Sequence, residues 1–188
     1  MVIRVDRDLV QQAQRGDRDA FAILVRTHGD RLFGVARRIL RDIDLADDAV
    51  QQALVICWRE LPRLREAERF EGWSVRILVR ICYELSRASR RAALNMVTIE
   101  AAGELPTGDS TDPIVQRDEL ERAFRRLPPD QRAILVLRHY LGLEPTEIAE
   151  TLGIPAGTAR SRLHYAHREM RAALEADARR AVAGGRPA

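Results

Sequence analysis

Side chains that suit DNA recognition lie along one face of a helix predicted near the end of the chain. This helix begins at Pro155 and runs to about Glu175. At about 100° per residue, its apolar residues centre on Leu163 and form a stripe that must face a core. The other side carries hydroxyl, guanidinium and imidazole groups, which suit guanine edges and phosphates in the major groove. The residues expected to contact DNA are Thr158, Arg160, Ser161, Arg162, His164 and Arg168.

The segment before this helix completes a helix-turn-helix pattern. Thr146 to Ile154 predicts a short helix, Gly153 permits a tight turn, and Pro155 starts the second helix. The turn, the core stripe and the basic face together favour DNA binding; the alternative is a solvated helix of a protein-binding bundle. His164 and His167 have a spacing that metals accept, but the sequence offers no further ligand nearby, so no metal is expected.

A polar face on an earlier predicted helix, residues 45–61, is the second candidate site. Its apolar residues recur at intervals of three and four, which predicts a buried stripe. From composition alone, the polar residues between them are interpreted as a solvated face. These residues are Asp47, Asp48, Gln51 and Gln52.

The overall composition indicates a soluble, mostly helical protein. Of the 188 residues, 46% are hydrophobic and 31% are charged, which suffices for one or two small cores. No apolar run approaches the ~20 residues that cross a bilayer, and the first residues do not resemble a signal peptide, so a cytoplasmic location is expected. The sequence shows no Ser/His/Asp set and no glycine-rich phosphate loop, so we expect neither catalytic residues nor a cofactor. Cys57 and Cys82 are interpreted as buried free thiols, with a redox pair as the alternative.

Helical periodicity predicts an all-α fold of two small bundles joined by an extended acidic linker. The predicted parts are a first domain (1–91), the linker (92–112), a helix-turn-helix domain (113–176) and a disordered tail (177–188). The first domain carries a net charge of +4, residues 92–113 carry −4, and the remainder carries +3. The predicted helices span residues 8–14, 17–28, 32–40, 45–61, 73–91, 113–127, 131–141, 145–152 and 155–175.

Motifs in both halves, in this order and at this separation, point to one family. The second half contains Leu127-Pro128, Glu147-Ile148-Ala149 and the run from Gly153 to Leu163. The first half contains Gly16-Asp17, Ala20-Phe21, Arg41-Asp42, Ala46-Asp47-Asp48, Gln51-Gln52, Trp58, Phe70 and Trp73. Over about residues 8–175, the chain resembles regions two and four of the extracytoplasmic-function (ECF) RNA polymerase sigma factors. The helix-turn-helix alone is shared with many regulators, so a stand-alone transcriptional regulator is the alternative function.

The resemblance implies a role for each half in transcription initiation. The first half would bind core RNA polymerase and open the minus-ten promoter element, and the second would read the minus-thirty-five element. The polar face of helix 45–61 would dock on a coiled coil of the largest polymerase subunit, where its carboxylates and amides meet basic groups.

A loop in the first half would hold a base flipped out of the minus-ten strand, which requires a basic groove with aromatic or apolar walls. Arg63, Arg65, Arg69 and Phe70 would form the groove, and Arg76, Arg80 and Arg87 would meet phosphates. The alternative is that Phe70 and Trp73 are core residues, and this is the preferred interpretation for Trp73.

The acidic linker would thread the polymerase cleft and RNA-exit path as a crude RNA mimic, or would serve as a plain flexible tether. The expected partners are core RNA polymerase and promoter DNA, and the family adds an anti-sigma factor as a candidate. No direct membrane insertion is expected.

Overall fold

The computed structural model describes residues 7–96 and 113–184, and these residues form helices and turns without any strand, which confirms the all-α prediction. The segments 97–112, most of the predicted acidic linker, and 185–188 lie outside the described residues. Two 3₁₀ turns, Leu61–Arg63 and Ala67–Arg69, connect the third and fourth helices. The helices are α1 (Arg7–Gln14), α2 (Arg18–Leu40), α3 (Ile43–Glu60), α4 (Phe70–Met96), α5 (Pro113–Arg126), α6 (Pro129–Leu135), α7 (Pro145–Leu152) and α8 (Ala156–Gly184).

Helix α2 is one continuous helix, whereas the sequence predicted two that separate near residue 30. The Asp17 carboxylate caps it by accepting hydrogen bonds from the backbone N–H groups of Asp19 and Ala20. Its buried residues, among them Leu24 and Leu32, continue past the expected break without losing their spacing. Burial of this stripe outweighs the cost of about 1 kcal/mol for a glycine inside a helix.

Helix α3 forms the expected amphipathic element, and Asp42 caps it through a 2.9 Å hydrogen bond from the Leu45 backbone N–H. Ala49 and Ala53 belong to its buried stripe, and these small side chains let α2 and α4 approach closely. Cys57 and Cys82 are buried free thiols, as expected. Burial raises the pKa of each thiol to about 12, which keeps both protonated and unreactive.

The predicted helix-turn-helix is present in the second bundle. Helix α6 continues as a π-helical turn over Val136–Tyr140, and the chain then reverses into α7. Gly153 ends α7 with φ of 65°, a left-handed conformation that glycine adopts without strain, and α8 follows.

Helices α4 and α8 run further than the sequence suggested. Helix α4 passes the expected boundary at residue 91 and ends at Met96, and α8 ends at Gly184. Residues 177–184, which belong to the tail predicted as disordered, are thus described as part of α8. Both extensions are rich in alanine and contain no proline, so their intrinsic helix propensity is high.

The two bundles lie against each other. Helix α2 packs on α6 and the π-helical turn, and α4 packs on α6 and α7. One buried apolar cluster includes Val35 and Leu78 of the first bundle and Leu137 and Ile148 of the second. A smaller cluster joins α1, α2 and the start of α4. In the part of the chain that the structure describes, no helix has both the length and the apolar character needed to span a bilayer.

Candidate DNA and polymerase interfaces

The expected recognition face of α8 is exposed. Ala159 and Ala166 are buried against the rest of the second bundle, which fixes the rotation of α8 about its axis. Five of the six predicted DNA-contacting side chains are exposed, and Thr158 at the helix start is half-buried. The structure thus brings these residues onto one outward surface. The exposed five are Arg160, Ser161, Arg162, His164 and Arg168.

Three of these side chains have partners within α8. The Ser161 hydroxyl donates a 3.0 Å hydrogen bond to the Gly157 carbonyl oxygen, so it must rotate to reach a base. The Arg168 guanidinium lies 4.9 Å from the centre of the Tyr165 ring and forms a 3.3 Å ion pair with Glu169, and the His164 ring contacts the same tyrosine edge-on. Tyr165 is 50% exposed and shares this face, so it joins the surface although the sequence-based set omits it. Its position on the helical wheel, opposite Leu163, is the signal that identifies it.

The loop between α3 and α4 presents its arginines to solvent. Arg63 forms a 2.6 Å ion pair with Glu60, and Arg69 forms a 2.7 Å ion pair with Glu66. Arg65 is exposed between them. Each of the two pairs joins residues three apart in the sequence, so the local backbone positions these cations before any DNA binds.

Phe70 was predicted as an aromatic wall of this loop, and the structure corrects that assignment. Its side chain is only 3% exposed and packs edge-on against His28 at a ring distance of 5.7 Å. A buried ring cannot stack on a base. Trp73, which was predicted to be a core residue, is only half-buried: it packs against the smaller apolar cluster and also lines a surface cavity with Arg69 and Arg76. Its exposed part offers the aromatic surface that the buried Phe70 does not.

The three arginines predicted on α4 are exposed but have different surroundings. Arg80 pairs with Glu84 at 3.1 Å, one helical turn away. The guanidinium of Arg76 lies against Gly153 of the helix-turn-helix, in the space that a Cβ there would occupy. Arg87 lines a cavity together with Arg162 of the recognition face. The structure therefore brings two of these arginines towards the second bundle.

The polar face of α3 is a separate surface. Asp47, Asp48, Gln51 and Gln52 are all exposed. Val55 lies beside them, one turn beyond Gln51, and is 58% exposed. Single exposed apolar residues are common on protein surfaces, so Val55 adds apolar area to this face without identifying it as an interface.

Comparison with known proteins finds a family model for each of the two bundles. The family model for sigma-70 region 2 matches residues 24–92, and the model for sigma-70, region 4 matches residues 117–170. The RNA polymerase sigma-H factor of Pseudomonas aeruginosa is 33% identical over 182 residues, which cover 90% of this chain and 94% of that protein. The chain belongs to the ECF sigma factors. The ECF RNA polymerase sigma-E factor of Haemophilus influenzae is 31% identical over 176 residues, covering 88% and 92% of the two chains.

A solved structure supports the same fold for this sigma factor. CnrH, in complex with the cytosolic domain of CnrY, superimposes with a TM-score of 0.66 at 27% identity, covering 92% of this chain and 98% of CnrH. Region 2 contains the loop, α4 and the polar face of α3, and region 4 contains the helix-turn-helix. The predicted sites thus fall inside the two matched regions.

The surroundings of two histidines and one tyrosine shift the pKa values of these side chains in the sigma factor. Burial, with the neighbouring Arg31, lowers the pKa of His28. Burial, and then the nearby His139 and other cationic groups, lowers the pKa of His167, whose Nε2 lies 2.8 Å from Nε2 of His139. Burial raises the pKa of Tyr83 to about 12. None of these groups belongs to the predicted DNA-contacting set.

Proposed function

We propose a division of labour in which α3 holds the polymerase, the α3–α4 loop and α4 bind the minus-ten element, and α8 reads the minus-thirty-five element. As a sigma factor, the protein directs promoter-specific transcription initiation by core RNA polymerase, and the family matches do not favour the stand-alone regulator. The supporting observation is that the exposed surfaces of α3, α4 and α8 fall within the matched regions. We propose that the protein acts in the cytoplasm. We also propose that it directs the polymerase to promoters without catalysing a reaction itself.

The polymerase surface consists of Asp47, Asp48, Gln51, Gln52 and Val55. Its carboxylates would pair with basic groups of the polymerase coiled coil, and Val55 would add an apolar contact at the C-terminal end of the patch. Because these side chains are exposed, changing them should leave the fold of α3 intact.

The minus-ten surface combines Trp73 with Arg63, Arg65, Arg69, Arg76, Arg80 and Arg87. An unstacked base would pack against the indole, and the guanidinium groups would bind the flanking phosphates. The minus-thirty-five surface consists of Thr158, Arg160, Ser161, Arg162, His164 and Arg168, with Tyr165 added.

Polymerase binding is tested by Asp48→Arg combined with Gln52→Arg. We expect loss of holoenzyme assembly in a pull-down with core polymerase, together with loss of promoter-specific transcripts, because cations would face the basic coiled coil. The matched control is Gln12→Arg with Glu175→Arg, which changes net charge by the same amount at exposed positions of α1 and α8. Normal pull-down by the Asp48/Gln52 variant would contradict the assignment.

CnrH was solved in complex with the cytosolic domain of a second protein. We propose that this sigma factor likewise has a protein partner of the anti-sigma class. Such a partner would have to cover the polymerase surface or the DNA surfaces to prevent initiation.

A further inference from the structure

A cavity lined by residues of α4, α6 and α8 carries a concentration of positive charge. Its volume is about 460 Å³, which falls within the roughly 300–1,000 Å³ of small-molecule sites. Three guanidinium groups and one carboxylate give the lining a formal net charge of +2. This balance favours an anionic ligand. The polar and charged side chains of the lining belong to Tyr83, Ser86, Arg87, Arg91, Asp130 and Arg162.

The three arginines of the cavity come from two helices. Arg87 and Arg91 are one helical turn apart on α4, and Arg162 comes from α8. All three are exposed, and none of them forms an ion pair with another described residue. Like charges one turn apart on a helix repel each other, and the third guanidinium adds to this repulsion. An anion bound among the three would relieve it.

The Tyr83 hydroxyl is a second, independent indication of a ligand. It is buried and has no hydrogen-bond partner among the described residues. Burial raises the pKa of Tyr83 to about 12; the Asp130 carboxylate adds to this shift and the Arg162 guanidinium opposes it. The hydroxyl therefore lies near both charged groups and stays protonated. It can donate a hydrogen bond to an anionic oxygen, which would remove the cost of burying it without a partner.

The donors of α4 form a row rather than a single point. Tyr83, Arg87 and Arg91 recur at intervals of four residues, so they follow one face of the helix over about 12 Å. A row of this length exceeds one tetrahedral phosphate and suits several linked phosphates. Guanidinium groups also match phosphate oxygens by paired hydrogen bonds. In the lining that the structure describes, Asp130 is the one carboxylate, and it would oppose the binding of such an anion.

We propose that this cavity binds a small anion with several linked phosphate groups, held by Arg87, Arg91 and Arg162 and by the Tyr83 hydroxyl. Inorganic polyphosphate and nucleoside polyphosphates share this chemistry. The bound anion engages Arg87 and Arg162, which we assign to promoter DNA, so the anion and DNA compete for the same cations. This competition, unlike the site itself, rests on the proposed function.

Tyr83→Phe tests the site without changing its charge, and Tyr140→Phe is the matched control. Tyr140 is 40% exposed and lies outside the cavity lining. We expect isothermal titration calorimetry of the full-length protein with sodium tripolyphosphate to show saturable binding by the wild type and by Tyr140→Phe. Tyr83→Phe should bind about tenfold more weakly, because it loses a hydrogen bond to a charged group. Equal affinities of the two variants, or no saturable binding by the wild type, would overturn the site.

Arg91→Gln and Asp130→Asn test the charge of the cavity in opposite directions. Arg91→Gln should weaken tripolyphosphate binding about tenfold, whereas Arg179→Gln, at the exposed end of α8, should have little effect. Asp130→Asn removes a repulsive charge and should tighten binding about threefold more than Glu175→Gln does. Within each pair, the two variants change net charge equally. Equal effects within the pairs would show that generic attraction, rather than this cavity, holds the anion.

ATP in magnesium-free buffer distinguishes the two sources of linked phosphates. Equal affinities for ATP and tripolyphosphate would assign the site to the phosphate chain alone, and tighter binding of ATP would assign it to nucleotides. In both cases Tyr83→Phe must weaken the binding of both probes. If Tyr83→Phe leaves both affinities unchanged, the anions bind elsewhere and the proposal is wrong.

Competition with DNA is measured on a minus-thirty-five duplex. Tripolyphosphate at ten times its dissociation constant should weaken duplex binding about tenfold, compared with sodium chloride at equal ionic strength. Tyr83→Phe should bind the duplex normally and should need about tenfold more tripolyphosphate for the same effect. Saturable anion binding without any loss of duplex affinity would overturn the competition. If no form of the protein binds the duplex, the proposed DNA contacts fail while the anion site stands.

Discussion

The arginines assigned to DNA binding have different surroundings in the two bundles. In region 2, Arg63, Arg69 and Arg80 each pair with a glutamate three or four residues away. In region 4, Arg160 and Arg162 have no ion pair among the described residues, whereas Arg168 lies 3.3 Å from the Glu169 carboxylate. Under the proposed contacts, a phosphate that binds Arg63, Arg69 or Arg80 must displace a carboxylate, whereas Arg160 and Arg162 can bind a phosphate or a guanine directly.

This difference matches two kinds of DNA. Region 4 would bind a duplex that is already formed, so unpaired arginines give immediate electrostatic attraction. Region 2 would bind a strand that must first be unstacked, and paired arginines reduce attraction to DNA that has not been opened. Both surfaces are mixed, since Arg65 of region 2 has no ion pair among the described residues and Arg168 of region 4 has one. The difference between the surfaces is therefore one of degree: ion pairs hold a larger share of the arginines in region 2.

The largest expected effect tests whether the two bundles unfold together or separately. Leu78 of α4 and Ile148 of α7 are fully buried in one cluster. Leu78→Ala and Ile148→Ala should each lower the free energy of unfolding by about 2–5 kcal/mol and shift one common thermal transition in calorimetry. Val55→Ala, at an exposed position, is the control and should shift it little. Two transitions, with each variant moving only one, would show that the bundles unfold separately.

The next effect concerns the free arginines of region 4. Arg162→Ala should cost ~1–3 kcal/mol of affinity for a minus-thirty-five duplex if the guanidinium pairs with a guanine. Competition with duplexes altered at single base pairs measures this loss of affinity. The difference between the variant and the wild type should disappear on a duplex in which the contacted guanine is replaced. Arg179→Ala, on the exposed end of α8, provides the control. An unchanged minus-thirty-five footprint would remove Arg162 from recognition.

The sequence predicted correctly which side chains share the buried or the exposed face of a single helix. Helical periodicity alone placed the buried stripe of α3 and the outward face of α8 correctly, since the period fixes which side chains share a face. It failed at helix ends, because it divided α2 in two and stopped α4 and α8 too early. It also failed where distant segments meet. The burial of Phe70 against His28 and the contact of Tyr140 with Gly34 depend on tertiary packing, which no local pattern encodes.

A smaller effect would sharpen the contrast between paired and free arginines. Glu66→Gln releases Arg69 from its exposed ion pair, which is itself worth only about 0–1 kcal/mol. Affinity for a single-stranded minus-ten oligonucleotide should therefore rise about twofold beyond that of Glu175→Gln, measured at low salt. The gain should shrink as salt increases, because exposed charges are screened. An equal gain in both variants would indicate that the pairing has no role.

The smallest effect compares the histidines of the two bundles. The lowered pKa values of His28 and His167 mean that the unfolded chain takes up their protons more readily than the folded one. Folding stability should therefore fall as the pH drops from about 7.5 through the unfolded-state value of ~6.5. His28→Gln should reduce the pH dependence that region 2 contributes to the free energy of unfolding, and His167→Gln should reduce that of region 4. Urea unfolding at several pH values across this range measures both effects. If the bundles unfold as one unit, each substitution will reduce the pH dependence of the same single unfolding transition. If only His28→Gln changes a first transition and only His167→Gln a second, the two regions are energetically separate despite their contact.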